Sequence, residues 1–193
     1  MKIAVQAGTN SANDFFFNIC KEEKFDFVYL IEPLLRLNRV IHDCYIDFQH
    51  RICNYAISTK SGVAKLYEFS YNGGHNSLIK RKSHPLSREN KQINSILVPC
   101  MTFDSFCKRN NITEIELLCM DLEGLDDEIL LSIDFDNIHI KKIIWENWDH
   151  DDDDENGVFQ TGTEIKGESK ALLEKYGYII KEYDARNFCA ELK

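Results

Sequence analysis

The sequence predicts an α/β sandwich built on a mainly parallel sheet, and two observations lead to this prediction. Short β-rich runs alternate with helical stretches along the 193 residues, which is the pattern of parallel strands joined by helical crossovers. The runs FVYLI at 27–31 and ELLCM at 116–120 are apolar throughout, as expected of strands buried on both faces. We expect a single domain over residues 1–193, because a chain of this length buries about 70% of the surface that its unfolded form exposes.

The first half of the chain alternates strands with helices in an order that can be followed residue by residue. Proline at position 33 favours a helix start, and the leucines that follow it recur on one helical face. Glycine at position 62 precedes an alternating run that would form a hairpin or extend the sheet. The predicted elements are a strand over 2–7, a helix over 13–23, strands over 27–31 and 52–58 with a helix over 33–42 between them, and the alternating run 63–69.

The second half continues the alternation after a polar stretch, 71–94, that is rich in turn residues and is expected to be mostly loop. Thr102 or Asp104 is expected to cap a helix, and Gly177 to end the last one. An acidic loop extends from the end of the strand at Glu146 to about residue 167. The predicted elements are strands over 96–99, 116–120, 140–145, 178–183 and 188–192, and helices up to 110, over 126–133 and over 169–176.

Composition excludes several classes of protein. The chain has 23 basic and 32 acidic side chains, for a net charge of −9, and such a surface repels phosphate backbones, so general nucleic-acid binding is not expected. No window approaches the roughly 18 apolar residues of a membrane span. The first residues lack the apolar region of a signal peptide, so we expect a cytoplasmic protein. Seven cysteines without a Cys-x-x-Cys pair predict reduced core thiols, with neither disulfides nor a metal centre.

Three segments follow strands whose carboxyl ends should meet at one edge of the sheet, where α/β proteins bind ligands. The small-residue turn at Gly8 would let backbone N–H groups approach a ligand; a plain tight turn is the alternative. Glu32 follows the second strand, 24 residues after Gly8, close to the ~20 residues expected of an acid that binds ribose hydroxyls. A helix-initiating acid beside Pro33 is the other interpretation.

Asp121 and Glu123 follow the buried strand ELLCM, within the sequence DLEG. Two carboxylates at this edge would compensate a cationic ligand, and either could act as a base toward a hydroxyl nucleophile. Helix capping by Asp121, with Glu123 in the first turn, is the structural alternative. The two interpretations are compatible.

Several segments, in this order, resemble the FkbM-type family of S-adenosylmethionine-dependent methyltransferases. VQAGTNSA is similar to the Asp-x-Gly-Ala-Asn-x-Gly motif of that family's first strand, and YLIEP to its ribose-binding segment. The later blocks that match in order are NYAISTKSGVAKLY, NSL at 76–78, VPCMTFDSF at 98–106, LLCMDLEGLDDEIL at 117–130 and the glutamate that ends IIWE. The resemblance extends from about residue 2 to 148, and more loosely through the strand at 177–178.

The resemblance implies a class I methyltransferase, a Rossmann-like three-layer sandwich with a seven-stranded, mainly parallel sheet whose last strand is antiparallel. It implies S-adenosylmethionine as cofactor and methyl transfer to a hydroxyl of a sugar, lipid or small-metabolite acceptor. The implied cofactor-binding residues are Gln6, Gly8, Asn10, Glu32, Ala56 and Asp121, with Asp121 near the reactive end.

Two departures from the family pattern define an alternative hypothesis. Gln6 stands where the family has an acid, and Ala12 where it has a second glycine. Gln6 can form hydrogen bonds but supplies no charge. The alternative is therefore a catalytically inactive relative that serves as a binding or regulatory module.

Two further features invite a functional interpretation. His75 lies in a loop that the resemblance brings near the cofactor edge, so it joins Asp121 and Glu123 as a candidate catalytic residue; an exposed loop histidine is the alternative. The acidic run at 151–155 could act as a cation site or a lid. Because it lacks the ligand spacing of an EF-hand, we interpret it as a solvated loop and predict no metal site.

Overall fold

A computed structural model describes residues 1–12, 14–69, 75–80, 93–146, 167–184 and 186–193. Its elements, in chain order, are β1 Ile3–Ala7, α1 Phe15–Glu22, β2 Phe27–Ile31, a 3-10 turn Leu35–Leu37, α2 Asn38–Cys44, β3 His50–Cys53, β4 Ala56–Ile57, β5 Gly62–Glu68, β6 Asn94–Met101, α3 Phe103–Asn110, β7 Glu114–Met120, α4 Asp126–Ser132, β8 His139–Glu146, α5 Gly167–Lys175, β9 Tyr178–Glu182 and β10 Asn187–Leu192.

The main sheet has seven strands in the order β3-β2-β1-β7-β8-β10-β9. β10 is antiparallel to both of its neighbours, and the other strand pairs are parallel. The predicted fold class is therefore confirmed, including the antiparallel last strand. The strand order reverses at β1, because β2 lies on one side of it and β7 on the other. This reversal creates the crevice at the carboxyl edge where such sheets bind ligands.

The apolar core lies on both faces of this sheet. β1 is buried along its whole length, and its side chains alternate between the two core clusters, with Val5 and Ala7 on one face and Ala4 on the other. Trp145 on β8 is fully buried. Six of the seven cysteines are buried, so these six belong to the core, as the sequence predicts.

The strand predicted over 52–58 is wrong as a single strand. β3 ends at Cys53, and β4 belongs to a second sheet of three strands in the order β4-β6-β5. The side-chain amide of Asn54 donates to the Glu32 carbonyl oxygen at 3.0 Å and to Asn38 Oδ1 at 2.7 Å. These bonds hold the chain out of the main sheet, so β3 ends there.

Other predictions differ from the structure in detail. The run 63–69 pairs in antiparallel register with β6, which extends over Asn94–Met101 and lies in the second sheet. The helix predicted over 33–42 begins as the 3-10 turn, because Leu34 has an extended backbone, and α2 continues to Cys44. Within the part of the chain that the structure describes, no helix has the length and apolarity needed to cross a bilayer.

Candidate cofactor site at the carboxyl edge of the sheet

The turn after β1 is built around Gly8. The Gly8 and Thr9 N–H groups both donate to the Ile31 carbonyl oxygen, at 3.0 and 3.2 Å, so the turn is attached to the end of β2. Gly8 has a φ of +84°, and a Cβ at this position would lie 2.0 Å from the Asp121 carbonyl oxygen. Only glycine fits between β2 and β7 here. The turn thus brings bare backbone to the crevice between the strands.

Glu32 is attached to this same turn. Its Oε2 accepts the Asn10 N–H and its Oε1 accepts the Leu34 N–H, both at 2.9 Å, and the residue is only 5% exposed. Burial raises the pKa of the Glu32 carboxyl, while the two backbone bonds and the Arg36 charge oppose that rise. Each carboxylate oxygen can accept a second hydrogen bond. The acid and the glycine turn, 24 residues apart in sequence, therefore form one unit.

The turn after β7 carries Asp121 and Glu123. Asp121 N–H donates to the Ala7 carbonyl oxygen at 3.0 Å, which extends the β1–β7 pairing to the sheet edge. Glu123 adopts a left-handed backbone with a φ of 55°, a conformation that costs a non-glycine residue on the order of 1 kcal/mol or more. The buried carboxyl of Asp126 accepts the Leu122 N–H at 3.2 and 3.3 Å. This bond at the start of α4 fixes the turn.

The electrostatics of this turn favour a neutral Asp121 over an unusually wide pH range. The Asp121 side chain is exposed at the surface of the crevice. The surrounding protein atoms nevertheless desolvate its carboxyl and raise its pKa, and the charges of Glu123 and Asp14 raise that pKa further. A hydrogen bond with Glu146 and the nearby His75 act in the opposite direction. Introducing a cation beside Asp121 would stabilise its charged form.

A short segment of the chain links the second sheet to the Asp121–Gly124 turn. Ser77 forms a backbone bridge with Tyr67 of β5, and its hydroxyl donates to the Glu123 carbonyl oxygen at 3.0 Å. The His75 N–H donates to Glu123 Oε1 at 3.0 Å, and His75 Nδ1 lies 3.7 Å from the same oxygen. The imidazole is half exposed and lies beside the Glu123 carboxylate.

These segments line a hollow that is partly open to solvent. Its lining includes six of the residues predicted from sequence, namely Gly8, Asn10, Glu32, Ala56, Asp121 and Glu123. Sequence reasoning did not predict a second group of lining residues, which are mostly apolar or come from the segment that contains Ser77: Ile31, Pro33, Ile57, Leu66, Asn76, Ser77, Leu78, Leu122 and Leu125. The apolar members resemble ordinary core residues in the sequence, so no local signal identified them.

Two predicted site residues lie outside the lining. His75 is at the rim through its contact with Glu123. Gln6 is buried, and its side-chain Nε2 donates to Asp14 Oδ2 at 2.5 Å. Among the described residues, no group of three or more His, Cys, Asp or Glu side chains could hold a metal ion. The acidic run at 151–155 lies outside the described residues.

The strand order and the crevice at its reversal point define the fold of a class I methyltransferase. The chain belongs to the FkbM methyltransferase family, whose domain model (Methyltransferase FkbM domain) matches residues 6–180, and S-adenosylmethionine is the cofactor of this family. The sequence resemblance is thereby confirmed. No curated protein matches the chain with significance.

Two solved structures of other proteins are similar at low sequence identity. M. capricolum TrmK in complex with S-adenosylhomocysteine is 12% identical, with a TM-score of 0.42, over 98% of this chain and 60% of that one. The Methanococcus jannaschii fibrillarin pre-rRNA processing protein is 14% identical, with a TM-score of 0.46, over 99% and 66%. The chain therefore spans less than two thirds of the length of either protein.

The residues at the hollow suit a nucleoside cofactor with a positive charge. Gly8 lines the hollow and lets its turn lie directly against the Asp121 carbonyl oxygen, where a Cβ would clash, and the carboxylate of Glu32 has lone pairs left for hydroxyl donors. The Oδ1 atom of Asn10 is buried without a hydrogen-bond donor from the described residues. Asp121 and Glu123 add two carboxyl groups to the lining. Hydrogen-bond acceptors and acids thus line the space that the cofactor would fill.

Proposed function

We propose that the protein transfers a methyl group from S-adenosylmethionine to a hydroxyl oxygen of a sugar, lipid or small metabolite. The observation that carries this proposal is the grouping of Asp121 and Glu123 in the lining of the hollow, with His75 beside Glu123 at its rim. Proton acceptors are therefore available beside the cofactor site. That arrangement suits an acceptor that must lose a proton when it is methylated.

Cofactor binding is assigned to the strand ends on the β2 side of the hollow. The backbone of the Gly8 turn, Asn10 and the Ala56 region would hold the nucleoside, with the Glu32 carboxylate accepting the ribose hydroxyls. When bound, S-adenosylmethionine supplies a methyl group on a positively charged sulfur. The carboxylate of Asp121 would favour that charge, and the main task of the chain would be to hold the acceptor oxygen in line with the methyl group.

Proton removal is assigned to the carboxylates and the imidazole. A hydroxyl is a weak nucleophile, and its proton must leave as the oxygen–carbon bond forms. The raised pKa of Asp121 makes its ionised form a stronger base than an ordinary aspartate. Glu123 accepts the His75 backbone N–H, which keeps the imidazole beside it, so a proton could pass to either group. A base of this kind contributes about 10²–10⁴-fold to the rate.

A methyl-transfer assay with labelled donor, over a panel of sugars, lipids and small alcohols, tests the proposal. We expect label in a hydroxyl-bearing acceptor, and we expect Glu123→Gln to lower kcat by about 10²-fold or more while the affinity for S-adenosylhomocysteine, whose sulfur is neutral, changes little. Glu128→Gln is the matched control, because this exposed residue of α4 does not line the hollow. Cofactor binding without turnover of any acceptor would favour the inactive binding module instead.

The pH dependence of cofactor binding provides a second prediction. The ordinary pKa of an aspartate is about 3.9. Because the pKa of Asp121 is raised, its carboxyl is still neutral at pH values just above that ordinary pKa. It becomes charged as the pH rises through the raised pKa. The affinity for S-adenosylmethionine should therefore increase with pH relative to that for S-adenosylhomocysteine, whose sulfur is neutral. Calorimetric titration of both ligands across this range measures the ratio, and a constant ratio would contradict the role of Asp121.

A further inference from the structure

Two side chains close to Gly8 in sequence carry buried oxygen atoms that receive no hydrogen bond from the described residues. Gln6 is 2% exposed, and neither its Oε1 nor Asn10 Oδ1 receives a hydrogen bond from any described residue. The two side chains stand two residues before and two residues after Gly8. Buried polar atoms are almost always paired in native proteins. These two acceptors, one on each side of Gly8 in sequence, are therefore available to a ligand that donates hydrogen bonds.

A carboxylate lies beside the Gln6 amide. Asp14 Oδ2 accepts the side-chain N–H of Gln6 at 2.5 Å, so the amide nitrogen faces Asp14, and the amide oxygen receives no hydrogen bond from the described residues. The other oxygen of Asp14 accepts the Phe17 N–H at 3.1 Å and caps α1. Asp14 is also close enough to Asp121, which lines the hollow, for its charge to raise the pKa of that carboxyl. The negative charge is therefore near the cofactor site.

We propose that Asp14, oriented by Gln6, binds the ammonium group at the amino-acid end of the cofactor, with Gln6 Oε1 and Asn10 Oδ1 as additional acceptors. An ammonium has three donors and a full positive charge, which matches two unpaired acceptors and one carboxylate. Asp14, the N-cap of α1, would thus supply the negative charge that the family has at position 6 and that Gln6 lacks. Burial raises the pKa of Asp14 in the ligand-free protein, and a neighbouring ammonium would lower it. The inference rests on the proposed cofactor-dependent function.

The experiment compares two ligands and one near-isosteric variant. S-adenosylhomocysteine and 5′-methylthioadenosine share the adenosine and a neutral sulfur, but only the first carries the ammonium and its carboxylate. Asp14→Asn removes the charge and keeps an oxygen that can cap α1, since asparagine is a favoured N-cap. We expect calorimetric titration to show a loss of about tenfold or more in affinity for S-adenosylhomocysteine, and less than about twofold for 5′-methylthioadenosine.

A charge-relocation variant separates this role from a structural one. In Gln6→Glu combined with Asp14→Asn, the carboxylate stands on β1 and the amide on α1, so the hydrogen bond between them persists with its direction reversed. We expect this variant to recover most of the lost affinity for S-adenosylhomocysteine. Asp47→Asn, at an exposed position, removes one charge away from the site and should leave both affinities unchanged.

Three results would overturn the proposal. An equal loss for both ligands in Asp14→Asn would assign Asp14 a purely structural role, and unchanged affinity for S-adenosylhomocysteine would remove it from the site. Failure of the charge-relocation variant to regain affinity, with an unchanged thermal midpoint, would also contradict it. If the wild-type protein bound neither ligand, the proposed function itself would fail, and this result differs from the other three because it involves no variant.

Discussion

Gly8→Ala is expected to abolish measurable binding of S-adenosylhomocysteine and to lower the free energy of unfolding by about 2–5 kcal/mol. The alanine would need the left-handed backbone that Gly8 adopts at a φ of +84°, and its Cβ would lie 2.0 Å from the Asp121 carbonyl oxygen. The clash would push apart the Gly8 and Asp121 turns, which lie directly against each other at the edge of the hollow. Calorimetric titration and chemical denaturation measure the two effects.

Gly177→Ala is the matched control for this substitution. Gly177 has a φ of +87°, and a Cβ there would meet no atom within 4 Å. The control therefore carries the same backbone strain without the clash, and we expect it to cost about 1 kcal/mol in stability and to leave cofactor affinity unchanged. If both substitutions had equal effects on stability and binding, the close approach of the Gly8 turn to β7 would not explain the result.

Glu32→Gln is expected to weaken the binding of S-adenosylhomocysteine and of 5′-methylthioadenosine by about tenfold or more each, because both ligands carry the ribose that Glu32 is proposed to bind. An amide has one oxygen, so the Asn10 or Leu34 N–H must lose its acceptor. Leaving a buried donor unpaired costs about 1–3 kcal/mol, which denaturation would measure. The equal loss for both ligands distinguishes Glu32 from Asp14.

Glu116→Gln controls for the loss of a glutamate charge, because Glu116 pairs with Lys141 away from the hollow. Such a pair contributes about 0–1 kcal/mol, so we expect small changes in stability and in ligand affinity.

The stability of the wild type relative to Glu32→Gln should also depend on pH in a defined direction. The raised folded-state pKa of Glu32 means that the wild type loses stability as the pH rises through that pKa. Its advantage over the variant should therefore shrink at higher pH, and a growing advantage would contradict the burial of this carboxyl.

The main sheet could be predicted from sequence because its central strands are apolar on both faces and each is followed by a polar turn. The split of the predicted strand 52–58 could not be predicted in this way. RICNYAI is a continuous β-like run in the sequence, and β3 ends only because the Asn54 amide bonds to the Glu32 carbonyl and to Asn38. Those partners are brought together by tertiary packing, so the local pattern contains no sign of the break.

The candidate site was predictable to a similar extent. Gly8, Glu32 and Asp121 each follow a strand, and parallel strands place such residues at a common edge. Asp14 was not predicted, because in the sequence it is an ordinary helix cap, and its bond to Gln6 exists only once α1 packs on β1. Ser77 was not predicted as a lining residue for the same reason. The segment that carries it is held at the site by a hydrogen bond to Glu123, which lies 46 residues later in the sequence.

The attachment of Ser77 to the turn after β7 means that the hollow has walls from two separate parts of the architecture. The strand ends of the main sheet supply Gly8, Glu32 and Asp121, whereas Ala56 and Ser77 come from the chain between β3 and α3. The second part forms a sheet of its own, separate from the seven-stranded one. If the proposed cofactor site is correct, exchanging this part between homologues should change the acceptor more than the affinity for the cofactor.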